Sequence, residues 1–247
     1  MKAMVLAAGL GTRLRPLTND RPKALVEVGG RTMLEIALAR LRTFGVREVI
    51  INVHHFPDMV VEFLKSKDYF GMEIEISREE VLLDTGGGLK KAADFFLEGS
   101  SGQGEPFILH NVDVISNIDL HRMAQIHTDS EALATLAVQN RETSRYLLFD
   151  DGLHLCGRRL ERDGKTEIVR PSERFQALAF SGIHVISPRL LAMMSETGAF
   201  SIIDVYLRLA AQERILGFRA DEFYWRDLGK PEQVIAAAED FRSGVPR

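Results

Sequence analysis

Glycines and basic residues share one short segment near the N-terminus, directly after an apolar run. The segment contains two glycines and four cationic side chains: Gly9, Gly11, Arg13, Arg15, Arg21 and Lys23. Glycines allow backbone N–H groups to approach a phosphate closely, and the cations would neutralise its charge. The pattern predicts a phosphate-binding loop.

A second chemical signal is the carboxylate of Asp113, which stands inside another apolar run. Residues 107–115 read "FILHNVDVI", the pattern of a buried strand with the acid near its end. An ionised carboxylate in apolar surroundings is costly unless something pairs with it. The sequence therefore predicts that Asp113 is there to hold a partner.

Other interpretations of the glycine loop fit less well. A dinucleotide-binding loop reads G-x-G-x-x-G/A and opens directly into a helix. Here Leu14 takes the place of the third glycine, and Pro16 and Pro22 prevent an immediate long helix. The P-loop pattern G-x-x-x-x-G-K-[ST] is absent. A purely structural turn would leave unexplained why cations cluster after a strand, where open α/β sheets bind ligands.

The first half of the chain alternates between strand and helix patterns. "KAMVLAA" at its start is typical of a central parallel strand. Thr32 and Glu35 fit a capping box that begins a helix, and Gly45 fits its end. Pro57 suits the first position of the next helix. This alternation predicts βαβ units and a mostly parallel sheet.

The remaining segments extend this sheet. "MEIEIS" alternates as an edge strand does, and "GGGLKKAADFF" predicts a helix preceded by glycines. In the second half, strand-like segments separated by turns predict a mixed or antiparallel extension; they read "ALATLAVQN", "SRYLLFDD" and "ALAFSGIHVIS". Helices are predicted over "PRLLAMMSE", "IIDVYLRLAAQ" and "PEQVIAAAEDF".

The composition narrows the function classes. The 247 residues are 45% hydrophobic and 27% charged, which is ordinary for a globular protein. The net charge of −4, without a block of like charges, argues against a nucleic-acid partner. No apolar run approaches the roughly 18 residues of a membrane span, and Cys156 has no second cysteine to pair with. We expect a soluble cytoplasmic protein with no membrane partner.

Several segments together resemble the sugar-nucleotide pyrophosphorylases, the nucleotidyltransferases that join an NTP to a sugar-1-phosphate. The signature loop of that family stands here as "LAAGLGTRLRPLT" followed by "RPKALVEV". The segments "LLDTGGGLKKA", "SGIHVIS" and "YWRDLGKPEQV" resemble its base loop, its sugar-side strand and its late W-x-D-x-G segment. The pattern is most similar to N-acetylmuramate-1-phosphate uridylyltransferases, with mannose-1-phosphate guanylyltransferase-like members close behind.

The resemblance implies a fold and a cofactor. The fold is a three-layer α/β/α Rossmann-like (GT-A-like) nucleotidyltransferase fold with a mixed, mostly parallel central sheet. It would form one domain over residues 1–247, with a nucleotide half at 1–118 and a sugar-phosphate half at 119–247. The cofactor is Mg²⁺, and its implied ligands are Asp113 and Asp227.

The resemblance also implies substrate contacts. Arg13 and Lys23 would act on the phosphates as catalytic residues. The implied nucleotide site comprises these two and Leu6, Ala7, Ala8, Gly9, Gly11, Thr12, Glu79, Thr85, Gly86 and Gly87. The implied sugar-phosphate site comprises Asn111, Arg170, Ser181 and Gly182. The Glu79 carboxylate could accept a hydrogen bond from uracil N3–H or guanine N1–H, which favours UTP or GTP over CTP.

Two departures from the family pattern concern the sugar site. An acid–Lys–Pro segment contacts the sugar phosphate in many relatives, and here Val169 and Arg170 replace its first two residues. Val112 stands before the metal-binding aspartate, where relatives often have glycine. Arg170 could still bind phosphate, with a geometry that differs from that of lysine, and we expect Val112 to reshape the sugar pocket.

Three alternatives remain open on the sequence. The chain could be a non-catalytic nucleotide-sugar-binding protein of the same fold, a cytidylyltransferase acting on a non-sugar phosphate, or an NAD(P)-dependent oxidoreductase. Joint retention of Arg13, Lys23, Asp113 and Asp227 favours an enzyme. The enzyme would be a monomer or a small homo-oligomer.

Overall fold

The architecture is taken from a computed structural model that describes residues 1–98, 104–161 and 164–245. Its strands are β1 Ala3–Leu6, β2 Glu27–Val28, β3 Arg31–Thr32, β4 Glu48–Val53, β5 Glu73–Arg78, β6 Phe107–Asn111, β7 Val114–Ser116, β8 Ala134–Gln139, β9 Arg145–Phe149, β10 Leu155–Leu160, β11 Lys165–Ile168, β12 Gln176–Ile186, β13 Ile215–Arg219 and β14 Trp225–Asp227. Its α-helices are α1 Met33–Phe44, α2 Pro57–Ser66, α3 Asp84–Lys91, α4 Ala93–Leu97, α5 Leu120–Asp129, α6 Arg189–Ala192, α7 Ile202–Ala210 and α8 Pro231–Arg242.

The large sheet is organised around β1, whose apolar residues are buried on both faces. The strands run in the order β11-β10-β9-β12-β6-β1-β4-β5, and β8 and β13 extend from β12. β1 pairs in parallel with β4 and β6, and β4 pairs in parallel with β5. β12 runs antiparallel to β6, β8 and β9. The mixed sheet with an antiparallel second half is confirmed, and β5 lies at the edge, as its alternating pattern predicted.

Helices cover both faces of this sheet, since successive side chains of a strand point to opposite sides. Ala3 and Val5 join one core cluster, which includes residues of α1, α2, α5 and α8. Met4 joins a second cluster, which includes residues of α3, α4, α6 and α7. The predicted three-layer α/β/α fold is therefore confirmed. Within the described ranges, no helix combines the length and the apolar character needed to cross a membrane.

Local signals set the helix ends as the sequence predicted. The Thr32 hydroxyl accepts a hydrogen bond from Glu35 N at 3.1 Å and caps α1, which ends at Gly45 with a left-handed φ of 101°. Pro57 is the first residue of α2. Asp119 caps α5 by accepting a hydrogen bond from Arg122 N at 3.0 Å.

One predicted boundary is wrong. The glycines at 86–88 do not precede a helix but lie inside α3, and all three are buried. A Cβ atom on Gly87 would lie 2.6 Å from the Gly198 carbonyl oxygen, and one on Gly86 would lie 2.5 Å from the Phe200 ring. Close packing of α3 against residues 198–202 therefore explains these glycines, in spite of their low helix propensity.

Candidate active site

Three neighbouring strands place polar residues at one edge of the sheet. Leu6 ends β1, and its register partners are Asn52 on β4 and Asn111 on β6. Because the strands are parallel, the segments that follow them emerge on the same side. The glycine-rich loop after β1 and Asp113 after β6 therefore meet at this edge.

The glycine-rich loop has a defined backbone shape. Gly11 has a φ of 64° and leads into a single 3-10 turn, Thr12–Leu14. Its carbonyl accepts hydrogen bonds from the Thr18 hydroxyl and from Leu14 N, both at 2.9 Å. A Cβ atom on Gly11 would lie 2.9 Å from Thr18, whereas one on Gly9 would meet no described atom within 4 Å. Gly11 therefore shapes the loop, and Gly9 lies beside open space.

Asp113 finds its partner in this loop. The Lys23 ammonium donates a hydrogen bond to Asp113 Oδ2, and the two side chains are only 14% and 15% exposed. Lys23 begins a second 3-10 turn, Lys23–Leu25, and a Cβ atom on Gly11 would lie 3.1 Å from the Lys23 Cβ. The structure thus brings together the basic, glycine-rich loop and the carboxylate of Asp113.

Asp227 reaches the same place through a short ladder. β14 pairs antiparallel with β7, so that Asp227 lies opposite Val114, and Leu228 N donates to the Asp113 carbonyl at 2.8 Å. Asp227 Oδ1 accepts from Gly229 N at 2.6 Å. A Cβ atom on Gly229 would lie 2.8 Å from both Arg13 Nη2 and Asp227 Oδ1. Arg13 and Asp227 therefore flank Gly229.

The donor set at this point suits a hard cation. Mg²⁺ takes one or two carboxylates and completes its octahedron with waters and phosphate oxygens. Asp113 and Asp227 can supply those two carboxylates. In the described part of the chain, no group of three or more acidic, histidine or cysteine side chains is arranged to hold a metal. Two carboxylates would fit an ion whose other ligands are waters and phosphate oxygens.

A first cleft, with a volume of about 610 Å³, opens over Asp113 and the glycine-rich loop. Predicted site residues that line it are Leu6, Ala8, Gly9, Arg13, Lys23, Thr85, Asn111 and Asp113. Val112 also lines it and is 3% exposed, and its amide donates to the Leu6 carbonyl at 3.2 Å. The branched side chain that departs from the family pattern is thus fixed beside the first cleft.

Glu79 is buried beneath the first cleft and is bonded to the protein. Its Oε1 accepts from Asn52 Nδ2 at 2.7 Å, and its Oε2 accepts from Leu83 N at 3.0 Å. Asn52 in turn accepts a hydrogen bond from Ala7 N at 2.8 Å. This buried chain of hydrogen bonds joins the glycine-rich loop to the segment before α3.

The base-loop residues also make structural contacts. The Thr85 hydroxyl accepts from Ile202 N at 3.0 Å at the start of α7. The amides of Gly86 and Gly87 donate to the Phe200 carbonyl at 2.9 and 3.3 Å. These contacts dock the N-terminal turn of α3 on the segment before α7, with Thr85 at the wall of the first cleft.

A second cleft of about 510 Å³ adjoins the first at Asn111. Ser181 and Gly182 line it, together with Tyr146, Trp225 and Asp227. A Cβ atom on Gly182, whose φ is 75°, would lie 2.9 Å from Asn111 Nδ2. Three of the four predicted sugar-phosphate residues therefore lie together.

The fourth, Arg170, does not join them. Its Nε donates to the Ala210 carbonyl at 2.8 Å and its Nη2 donates to the Glu213 carbonyl at 3.1 Å. Both carbonyls belong to the C-terminal end of α7 or the turn that follows it. Arginine at this position satisfies helix-end carbonyls that would otherwise lack donors.

Asn52 and Arg141 are among the polar cleft residues that sequence reasoning missed. Asn52 lines the first cleft and is 2% exposed; its signal is a polar residue inside the apolar run "IINV", at the carboxyl end of a strand. Arg141 lines the second cleft, with its Cζ 3.8 Å from the centre of the Trp225 ring. It lies in the connection from β8 to β9, where no local pattern distinguishes it.

His110 is a packed histidine at the end of β6. It is 1% exposed, and burial lowers its pKa to about 4. Its Nδ1 lies 2.8 Å from the Asn111 carbonyl oxygen. A neutral, buried imidazole of this kind supports the strand rather than the chemistry.

Comparisons with known proteins agree with this geometry. The sequence profile of the nucleotidyl transferase family matches residues 2–244. The chain is 36% identical to the N-acetylmuramate alpha-1-phosphate uridylyltransferase of Caulobacter vibrioides over 244 residues, covering 95% of this chain and 94% of that protein. It is 30% identical to the mannose-1-phosphate guanyltransferase of Yarrowia lipolytica, covering 96% of this chain but only 62% of that longer protein.

A solved structure shows the same fold. It is that of a putative glucose-1-phosphate thymidylyltransferase from Bacillus anthracis, with a TM-score of 0.77 at 20% identity. The match covers 97% of this chain and 94% of that one.

Proposed function

We propose, from the premise that this chain belongs to the nucleotidyl transferase family, that it condenses an NTP with a sugar-1-phosphate to give an NDP-sugar and pyrophosphate. The observation that carries the proposal is the ion pair of Lys23 with Asp113, which lines the same cleft as Gly9 of the glycine-rich loop. A triphosphate in the first cleft would lie against this cation and the loop amides. The acceptor would occupy the adjoining second cleft.

The reaction needs positioning and charge stabilisation more than proton transfer. An oxygen of the sugar phosphate attacks the α-phosphorus, a new O–P bond forms, and the bond from the α-phosphorus to the bridging oxygen of pyrophosphate breaks. The nucleophile is already an anion, so no general base is required. Alignment and neutralisation of the phosphates therefore supply most of the catalysis.

The residues divide this work by position. The exposed guanidinium of Arg13 lies beside Asp227 and would neutralise the leaving phosphates. Lys23 would hold the α-phosphate, and amides around Gly9 and Gly11 would bind the triphosphate. Asp113 and Asp227 would hold Mg²⁺, which when bound supplies positive charge to the phosphate oxygens.

The choice of nucleotide is part of the proposal. UTP and GTP are favoured because relatives at 36% and 30% identity are named as a uridylyltransferase and a guanyltransferase. Residues 1–118 supply most of the first cleft, and residues 119–247 supply most of the second, which supports one domain with a nucleotide half and a sugar half. We further propose a cytoplasmic enzyme that is a monomer or a small homo-oligomer.

The test is a substrate panel read as pyrophosphate release. UTP, GTP, CTP and dTTP would each be combined with N-acetylmuramic acid, mannose and glucose 1-phosphates, with and without Mg²⁺. We expect turnover with UTP or GTP and one of these acceptors, lost on removal of the metal. NTP binding with no pyrophosphate release from any pair would favour the non-catalytic alternative.

A further inference from the structure

Arg141 is one of the arginines that line the second cleft and that the family resemblance did not indicate. Arg141 is held from two sides: its Cζ lies 3.8 Å from the centre of the Trp225 ring, and its Nη2 donates to the Phe180 carbonyl at 2.7 Å. The ring is itself fixed, since Trp225 Nε1 donates to the Ser181 carbonyl at 2.7 Å. Arg141 is therefore preorganised by stacking and hydrogen bonding.

Part of this guanidinium lacks a partner. The Nε of Arg141 is buried and makes no hydrogen bond to any described residue. A buried donor without an acceptor is costly, so such atoms call for an explanation in a native structure. Burial also lowers the pKa of Arg141, and the charge of Asp227 opposes that shift. An anion bound at the part of the guanidinium that faces the cleft would balance its charge.

The position of Arg141 selects one end of the proposed substrates. It lines the second cleft and also the recess that contains Arg13, Asp227 and Lys230. Asp227 also lines both of these spaces, whereas the Lys23–Asp113 pair lines the first cleft. In the proposed reaction the acceptor phosphate would lie in the second cleft, where the negative charge of Asp227 would repel it and a neighbouring cation would offset that repulsion.

We propose that Arg141 binds the phosphate of the sugar-1-phosphate, using the guanidinium held on Trp225. The inference rests on the proposed function, because it assigns a residue to the acceptor of that reaction. It gives Arg141 the role that sequence resemblance assigned to Arg170. Arg170 is engaged by the Ala210 and Glu213 carbonyls.

The experiment compares Arg141→Gln with three other variants. Arg141→Lys keeps the charge but loses the planar stack. Arg170→Gln removes the cation that the resemblance indicated. Arg122→Gln is the matched control, since Arg122 also lies over an aromatic ring, Phe218 at 5.7 Å, but is exposed and pairs with Glu222.

The readouts are the separate KM values for NTP and acceptor, and calorimetric binding of N-acetylmuramic acid, mannose and glucose 1-phosphates to each variant. For Arg141→Gln we expect an acceptor KM or Kd raised roughly 10- to 100-fold, as for loss of a charged hydrogen bond, with the NTP KM changed less than about twofold. Arg141→Lys should fall between wild type and Arg141→Gln, and Arg122→Gln should match the wild type.

Two sets of outcomes separate this inference from the proposed function. A wild-type protein that binds sugar phosphates through Arg141 but releases no pyrophosphate would uphold the inference and reject the enzyme. The inference would be overturned by unchanged acceptor binding in Arg141→Gln or by a loss of acceptor binding confined to Arg170→Gln. It would also be overturned by an equal rise in both KM values of Arg141→Gln, or by a wild-type protein that binds no sugar phosphate. Thermal unfolding of every variant identifies misfolding, and if Arg141→Gln misfolds, Arg141→Lys decides by the same KM split.

Discussion

Asp113 and Lys23 are 90 positions apart in the chain but form an ion pair in a largely buried setting. Each reduces the cost of burying the other, and each carries a charge that the proposed chemistry uses. In this pair the structural role of each residue coincides with its proposed functional role. The stability of each variant must therefore be measured together with its reaction rate.

Asp113→Asn should lower kcat on the order of 10²-fold, the loss typical of removing one group that stabilises transition-state charge. The amide keeps the shape of the side chain but removes the negative charge that would hold the metal. NTP affinity, measured by titration, should change much less than kcat.

Asp58→Asn is a suitable control for Asp113→Asn, because Asp58 on α2 is exposed and pairs with Arg78 on β5. It should leave kcat unchanged. Near-normal rates for Asp113→Asn with Mg²⁺ would show that Asp113 is not a metal ligand.

Glu79→Gln tests whether this carboxylate binds the base or supports the protein. Both of its oxygens accept hydrogen bonds from protein donors, and an amide would set one donor against another. We expect a loss of about 1–3 kcal/mol in the free energy of unfolding, measured in urea. The neighbouring Glu80→Gln, which changes an exposed residue, should have no such effect. A changed UTP-to-GTP preference at unchanged stability would instead support direct contact with the base.

At the scale of elements, the glycine-rich loop and α3 use glycine for different reasons. Gly11 has a backbone conformation that other residues adopt at a cost, and the glycines of α3 admit close neighbours. Gly9 has an ordinary backbone and open space around it. Its small size matters only if a ligand comes close.

The pair Gly9→Ala and Gly11→Ala separates these reasons. Gly11→Ala should destabilise the fold by about 1–3 kcal/mol through its positive φ and its contact with Thr18. Gly9→Ala should keep the melting temperature of the wild type and raise the KM for NTP roughly tenfold, if one amide–phosphate hydrogen bond is lost. An unchanged KM in Gly9→Ala would remove Gly9 from the phosphate site.

At the scale of the whole molecule, buried histidines make stability depend on pH. Burial lowers the pKa of His127 to about 4; burial, aided by the charge of nearby His110, lowers that of His184 to about 3. The unfolded chain would bind these protons near the ordinary value of 6.5, whereas the folded chain does not. The unfolded state therefore binds more protons, and stability falls as pH falls below about 6.5.

Urea unfolding from pH 7 to pH 4.5 measures this dependence. Each buried histidine should contribute a decrease of up to about 1.4 kcal/mol per pH unit below 6.5. His127→Gln should flatten the curve, whereas the exposed His121→Gln should not. An unchanged slope in His127→Gln would show that His127 is not the source.

The sequence by itself determined the features that depend on neighbours along the chain. Continuous apolar runs specified central strands. Capping residues specified both ends of α1, and Pro57 specified the start of α2. Glycines with cations predicted a phosphate-binding loop. Each of these signals acts over a few residues, through backbone geometry or local charge. The family pattern added the prediction that Asp113 and Asp227 bind the same metal ion, which local reasoning alone does not supply.

Only the tertiary structure decided which distant segments meet. The β14–β7 ladder places Asp227 beside Asp113, the buried chain through Asn52 occupies Glu79, and the end of α7 engages Arg170 while Arg141 stacks on Trp225. An arginine on a loop has the same local signal whether it faces a substrate or a helix end. Its role is set by strand pairing and packing between segments far apart in sequence, which no local pattern encodes.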